Sequence, residues 1–309
     1  MAKSITEVLL GTGTLFVASE TDVNAGTATF PSTPADTPSA SYWDDIGYSE
    51  GGFSLEYDKT FEDIFGNNYL EANTSFEVTE FKRNNDYAGS SPEGTRVTAR
   101  PSIAIPFEAS YGYIKPKIIA DIKHYDLENN SENTKDLFIP TFSLDSAVYF
   151  DRTFSFNENE FSQTLEPRVF YSYTNYEDQS MLPMFDSALI DLNQNSIFSE
   201  NQFIGGDRVM DSHQITLGAT SRVINNEGLE KLHVTLAQRF YLDDRKVLSE
   251  AQFNNSDYQG DSSDIFMSIG SSLTRALRVN SELQYNLDED KTNEFTLGTK
   301  YNPEPGKLF

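Results

Sequence analysis

The chain has 309 residues, enough for about two domains of ordinary size or for one large barrel or sandwich. Asp plus Glu number 48 against 23 Lys plus Arg, a formal charge of -25, which argues against a nucleic-acid binder and against a polybasic membrane-surface protein. Cysteine is absent, excluding disulfide scaffolds, Cys-zinc sites, iron–sulfur clusters and thiol catalysis.

Hydrophobic residues make up 38% of the chain, yet it carries 23 Phe and 16 Tyr, too many aromatics for an acidic disordered chain. Few aliphatics, many aromatics and high polarity fit strands with one wet face, in a soluble sheet or in an outer-membrane barrel. The longest apolar runs fall far short of the ~20 residues of a spanning helix. The N-terminus lacks the pattern of a signal peptide, because Gly11-Thr12-Gly13-Thr14 interrupts the apolar stretch Val8 to Ala18.

In chain order, Thr14 to Ala18 predicts a short strand, and residues 19–42, with Pro31, Pro34 and Pro38, predict a loop. Trp43 to Asp58 predicts two short strands around Glu50-Gly51-Gly52. From about residue 67 the alternation lengthens. Ile114, Pro116, Ile118, Ala120 and Ile122 share a face opposite Lys115, Lys117, Asp121 and Lys123. Phe138, Pro140, Phe142 and Leu144 oppose Thr141, Ser143 and Asp145, and Leu165, Pro167, Val169, Tyr171 and Tyr173 oppose Glu166, Arg168 and Ser172. The same alternation sets Gln214, Thr216 and Arg222 against Ile215, Leu217 and Val223, then His233, Thr235 and Arg239 against Leu232, Val234 and Leu236. About ten such segments run from 67 to 301. Many are long enough for the ~9–11 residues of a tilted membrane strand, against ~5–6 in soluble sheets.

Aromatics at strand ends (Tyr111, Tyr113, Tyr125, Phe150, Phe154, Tyr171, Tyr173, Phe240 and Tyr241) have the placement of an interfacial girdle, although soluble sandwiches also carry such residues. Short turns at 225–228 and 287–290 alternate with long polar connections at 126–136, 175–207 and 243–262, the habit of outer-membrane barrels. The 175–207 connection is long enough to be functional or to hold a short helix, for which Ser187 to Phe198 is the candidate.

No constellation points to an enzyme. Gly11-Thr12-Gly13 lacks the third glycine and the lysine of a nucleotide loop. Asn286, Asp288 and Asp290 have calcium-loop spacing, but Lys291 stands where glycine is needed and Leu297 where glutamate is needed. Asp257, Asp261 and Asp264 read as an acidic loop. His124, His213 and His233 are widely spaced, without a nucleophile elbow. Nothing selects a catalytic carboxylate pair, and no cofactor, metal or catalytic residue is expected. If the polar faces line a barrel, Lys115, Lys117, Lys123, Asp145, Glu166, Arg168, Arg222 and Arg239 face its lumen, where mixed charge either solvates the interior or guides a phosphate-bearing amphiphile.

Several blocks resemble the family of LPS-assembly outer-membrane proteins. They are Arg100-Pro101-Ser102-Ile103, His124-Tyr125, Leu165 to Tyr171, Tyr176 to Ser180, Leu182-Pro183, Phe185 to Leu189, Asn201 to Arg208, Gln214 to Arg222, Ala237 to Tyr241, and Tyr301 with Pro303-Glu304-Pro305-Gly306-Lys307. They run in family order over about 67–309. The resemblance implies an all-β fold: an antiparallel outer-membrane-type barrel of about ten strands, partial because the family barrel is larger. It implies lipopolysaccharide as cargo, a plug-forming lipoprotein partner, a place in the cell outer membrane and no enzymatic activity. It also implies an incomplete member, since nothing here resembles the family's periplasmic jellyroll.

Residues 1–65 are acidic and β-rich. Met1 to Leu15, Trp43 to Glu50 and Tyr57 to Asp63 are similar to the start of phage tail-tube proteins. That similarity implies a separate segment, 1–65, joined to a 66–309 barrel segment near Phe65-Gly66-Asn67, and as an alternative function self-assembly into a phage tail ring in a virion.

Overall fold

A computed structural model describes residues 14–17, 26–29, 48–61, 69–83, 92–190, 192–247 and 260–302. The expected junction near residue 66, the Pro31 to Pro38 stretch and the Asp257 position lie outside them.

The fold is all-β and antiparallel. Its strands are β1 (Thr14–Val17), β2 (Gly26–Thr29), β3 (Tyr48–Phe61), β4 (Leu70–Arg83), β5 (Glu93–Ala104), β6 (Phe107–Ala109), β7 (Gly112–Glu128), β8 (Thr134–Val148), β9 (Phe150–Phe156), β10 (Asn159–Thr174), β11 (Ala188–Leu189), β12 (Phe203–Ile204), β13 (Ser212–Asn225), β14 (Glu230–Tyr241), β15 (Ile265–Ser272), β16 (Leu277–Asn286) and β17 (Lys291–Tyr301). A 15-stranded sheet takes all but β11 and β12, which pair with each other; β6 and β9 lie off the main path, as short partners of β7 and β10. Along the main path each strand pairs with its neighbour in chain order. The path runs from β1 to β17 and, among the described residues, these two edges do not pair, so the wall is open there.

The expected long strands are present: β7 has 17 residues, β8 15 and β10 16, all beyond the length soluble strands usually reach. The register puts the alternation to use. Lys115 pairs with Asp145 and Lys117 with Ser143. Arg168 pairs with Gly218, Glu166 with Thr220 and Thr216 with Arg239. Paired residues share a face, so the polar sets of neighbouring strands gather on one side.

That side is covered by segment 175–211 and holds the buried residues, many of them polar: Arg96, Asp121, Lys123, Thr141, Ser143, Ser172, Gln214, Thr216 and Arg239. The opposite, bare side carries exposed Ile103, Ile114, Ile118, Ile122, Phe138, Phe142, Leu165, Val169, Leu217 and Leu236, with Ile118 60% and Phe138 62% exposed. A water-soluble sheet has the reverse distribution.

Several expectations need correction. Glu50-Gly51-Gly52 is not a turn: β3 runs straight through it, with Gly51 opposite Glu80 and Gly52 opposite Thr79, because β4 pairs along the whole of β3. Residues 26–29, expected in a loop, form β2 against β1 and β3. The 126–136 connection shrinks to 129–133, since pairing continues to Asp126 opposite Thr134. Among the described residues of 187–198 no α-helix forms; a 3-10 turn, Ser196–Phe198, and the strand β11 stand there instead. The aromatic girdle is incomplete, because parity turns Tyr125 to the covered side, where it is fully buried, while Tyr111, Tyr149, Phe150 and Phe156 are exposed at one end of the wall.

The short turns follow from local chemistry. At 225–228 the Asn225 Oδ1 accepts from Leu229 N at 2.9 Å and Gly228 N donates to Asn225 O at 2.9 Å, with Gly228 at φ 75. At 287–290 the Asn286 Oδ1 accepts from the amides of Asp288 and Glu289, so this residue of the calcium-like spacing shapes a turn.

Gly94 opens β5 at φ 147, and a Cβ there would collide with the Asp126 carbonyl of β7. Gly94→Ala should therefore lower unfolding free energy by about 1–3 kcal/mol, the scale of a strained backbone position. A denaturant titration checks this; an unchanged midpoint would show that the β5–β7 pairing yields without cost.

Candidate functional site

Segment 175–211 connects β10 to β13 and lies across the covered side of the wall. Almost without regular structure, it needs side chains to satisfy its backbone. Gln179 does so twice over: its Nε2 donates to Val209 O at 2.8 Å and its Oε1 accepts from Val209 N at 3.1 Å. Ser187 Oγ accepts from the amides of Asp207 and Arg208. The Asn201 side chain donates to the carbonyls of Phe203 and Arg208 and accepts from Met210 N. Asn193 Oδ1 accepts from the amides of Asn195 and Ser196, opening the 3-10 turn.

Two groups of wall residues grip this segment. The first centres on Arg96 of β5, whose side chain is fully buried. Its guanidinium makes a two-pronged pair with Asp186, at 2.8 and 2.6 Å, and reaches Asp207 at 2.6 Å and Glu77 of β4 at 2.8 Å. Asp207 Oδ2 in turn accepts from the amides of Phe185 and Asp186, at 2.6 and 2.8 Å. Lys123 Nζ and Tyr125 Oη donate to the Asp207 carbonyl at 3.1 and 3.3 Å. Phe185 stacks on Phe81 at 4.2 Å within a cluster that includes Tyr125, Leu137, Ile139, Leu182 and Val209. Gly206 lies so close to the Arg96 guanidinium that a Cβ would overlap it.

The second group grips residues 192–200. Arg239 of β14, also fully buried, donates to the carbonyls of Ser196 and Ile197 at 2.9 and 2.7 Å. Thr216 Oγ1 donates to Ile197 O at 3.1 Å. Arg168 lies over the Phe198 ring at 4.1 Å while its guanidinium pairs two-pronged with Asp145 at 2.8 and 2.7 Å. Lys117 and Ser143 both donate to Glu200, at 3.2 and 3.0 Å. From β16, Gln284 donates to Leu192 O at 2.9 Å.

All eight residues expected to face a lumen are on the covered side. Lys117, Lys123, Arg168 and Arg239 touch the segment, and Asp145 holds Arg168. Lys115 pairs with Glu71, and Arg222 with Glu166 and Glu230, away from it. The three histidines stay apart, each beside its own carboxylate: His124 with Asp136, His213 with Asp243 and His233 with Glu230.

Sequence reasoning missed Arg96, Asp186 and Asp207. Asp186 and Asp207 fall inside the family-like blocks, and Arg96 sits at an alternating position of β5. Their meeting, 90 and 111 residues apart in sequence, is a tertiary event.

The two aspartates differ. Burial works against the charge of Asp186, but the hydrogen bond and charge of Arg96 outweigh it and hold the carboxyl down at about 2, against an ordinary 3.8. Burial pushes Asp207 up to about 6, with Arg96 opposing and Asp186 beside it adding to the rise. A lowered folded value stabilises the fold above about pH 4 and loses that contribution as pH falls toward 2; a raised one favours the folded form as pH falls from above 6. The two contributions together are greatest near pH 4: that of Asp186 is lost as pH falls through about 2, and that of Asp207 as pH rises through about 6. Hydrogen exchange of the Phe185 and Asp186 amides, corrected for intrinsic rate, should show protection at pH 5 that is lost near pH 2. Equal protection at both values would mean that the Asp186–Arg96 pair does not hold the segment.

The profile of the family described as "LptD: LPS transport system D" matches residues 52–309. The chain is 38% identical to the LPS-assembly protein LptD of Thiobacillus denitrificans over 219 residues, 70% of this chain and 30% of that protein. It is 36% identical to the LPS-assembly protein LptD of Nitrosomonas eutropha, over 71% of this chain and 30% of the relative. Against the LPS-assembly protein LptD of Aromatoleum aromaticum it is 34% identical, over 71% of this chain and 28% of the relative. The chain thus spans a little under a third of the length of these relatives, and the match takes in most of β3 as well as every later strand. An open antiparallel wall with a polar covered side and a profile match through all its long strands make this chain a member of the LptD family.

Proposed function

We propose that the chain forms part of the wall of an outer-membrane barrel that assembles lipopolysaccharide at the cell surface. The distribution of side chains between the two faces carries this reading. The bare side, with Ile118, Phe138, Leu217 and Leu236 exposed, suits hydrocarbon, and the covered side, with its paired charges, suits a wet lumen.

The ends of the wall support an orientation. The connections 129–133, 175–211, 242–264 and 287–290 leave from one end and include the longest, whereas 105–111, 149–158 and the turns at 226–229 and 273–276 leave from the other. Long loops face outward in such barrels, which supports an extracellular position for segment 175–211 in the lumen. The saccharide and phosphates of the cargo would meet the polar side, where Lys115 and Arg222 lie clear of the segment, and its acyl chains would meet the bare side. No step in this work is chemical; the wall guides and separates. A plug-forming lipoprotein of the assembly complex is the partner this reading takes for the lumen.

Unpaired amides and carbonyls along β17 would each cost several kcal/mol in lipid, so its edge is where a further strand adds.

Light scattering after chromatography, with and without detergent, tests the solvent. A β-rich species of defined mass should appear in detergent alone. Ile118→Arg, on the bare side of β7, should destabilise that species by about 2–4 kcal/mol, whereas an exposed site of a soluble protein would lose about 0.5 or less. A β-rich, ring-sized particle in plain buffer would overturn the membrane reading and favour a tail-tube assembly.

A further inference from the structure

Segment 175–211 reaches much further than the two strands it connects. Its chain neighbours β10 and β13 are adjacent in the sheet, yet its grips are on Phe81 of β4 and Arg96 of β5 at one extreme and on β14 and β16 at the other. It therefore crosses the wall from one side of its own hairpin to the other. The two ends are held by different means. At the β5 end a buried guanidinium meets three carboxylates, two of them from the segment. At the β14 end a buried guanidinium meets two main-chain carbonyls of the segment; the Nε of both arginines has no hydrogen-bond partner among the described residues. Between the two lobes lies a small ladder of the segment's own, with Ala188 opposite Ile204 and Leu189 opposite Phe203, so they are tied to each other and not only to the wall.

We infer that segment 175–211 is a brace that fixes the spacing of β5 relative to β14, and that Arg96 is its positioning residue. An open antiparallel sheet bends and twists easily, since nothing but neighbour-to-neighbour pairing resists it. A tie across several strands removes that freedom and gives the wall one curvature. Arg96 suits the task because a planar fork can hold Asp186 in two-pronged geometry and Asp207 at the same time, which a lysine cannot. Asp207 then locks the main chain of Phe185 and Asp186, so the guanidinium orients backbone as well as side chains. The brace is a property of the wall and does not depend on what the barrel carries.

The absence of cysteine makes the test direct. Two cysteines, at Ile103 of β5 and Leu236 of β14, both exposed on the bare side, accept spin labels in the full chain folded in detergent, and pulsed dipolar spectroscopy reads the distance between them. The parent should give one narrow distribution. Arg96→Ala should broaden it at least twofold and open the segment to trypsin at Arg208, which is buried in the parent. Arg96→Lys should fall between the two. Asp186→Asn, which keeps the Asp207 contacts, should broaden it less than Arg96→Ala. Arg152→Ala, an exposed residue paired with Gln163 away from the segment, should leave the parent distribution.

A distribution unchanged in Arg96→Ala while trypsin cuts at Arg208 would show a segment that lies on the wall without shaping it. An unchanged distribution with no cutting would show that Arg96 is not the clasp. Loss of the β spectrum in both Arg96→Ala and Asp186→Asn would assign the cluster to folding of the chain and overturn the brace. Failure of the parent to fold in detergent would instead count against the membrane reading above.

Discussion

Strand register decides the character of every surface in this protein. Side chains alternate with period two, so a slip of one residue between β7 and β8 would exchange Lys115, Lys117 and Lys123 for Ile114, Ile118 and Ile122 on the covered side. The penalty would be paid twice, with apolar groups facing the polar segment 175–211 and ammonium groups on the bare face. Extended pairing multiplies this discrimination. Pairing of β7 with β8 runs unbroken from Gly112 to Asp126, and that of β10 with β13 from Phe161 to Thr174. Every added pair repeats the same preference for one register.

Charge on the covered side is tolerable because it is paired. Arg168 with Asp145, Arg222 with Glu166 and Lys115 with Glu71 join neighbouring or nearby strands, half-buried, and each is worth little by itself. Arg96 is different. Removing a fully buried guanidinium from three carboxylates would leave uncompensated charge, a change on the scale of about 3–5 kcal/mol. Any arrangement in which Asp186 or Asp207 is elsewhere would carry that penalty.

Much of this was legible in the chain. The alternation of Ile114 to Lys123 and of Leu165 to Tyr173 points to long strands and to their polar faces, because period two is a local property. Turns closed by Asn225 and Asn286 are local too. Three kinds of feature were not legible. Gly51-Gly52 has the composition of a turn, yet β4 pairs across it and keeps it extended. Ser187 to Phe198 has the composition of a short helix, yet Arg239, Thr216 and Gln284 take up its carbonyls and hold it against the wall. Tyr125 looks like a girdle residue, yet parity and the Phe185 stack bury it in the cluster beneath the segment.

Residue pattern leads to an all-β chain of long antiparallel strands and to the sidedness of Lys115, Lys117, Lys123, Asp145, Glu166, Arg168, Arg222 and Arg239, and ordered blocks lead to the family of the later strands. The strands and their sidedness rest on residues within one strand or one turn of each other, where spacing carries the information, whereas the family rests on blocks that resemble it in order over about 67–309. Only the tertiary structure decided that segment 175–211 folds back over the wall, that Arg96 meets Asp186 and Asp207, and that the polar face is a gripped surface instead of an open one. Those contacts join residues about a hundred positions apart, and their strength comes from burial, which exists only once the strands have assembled around them.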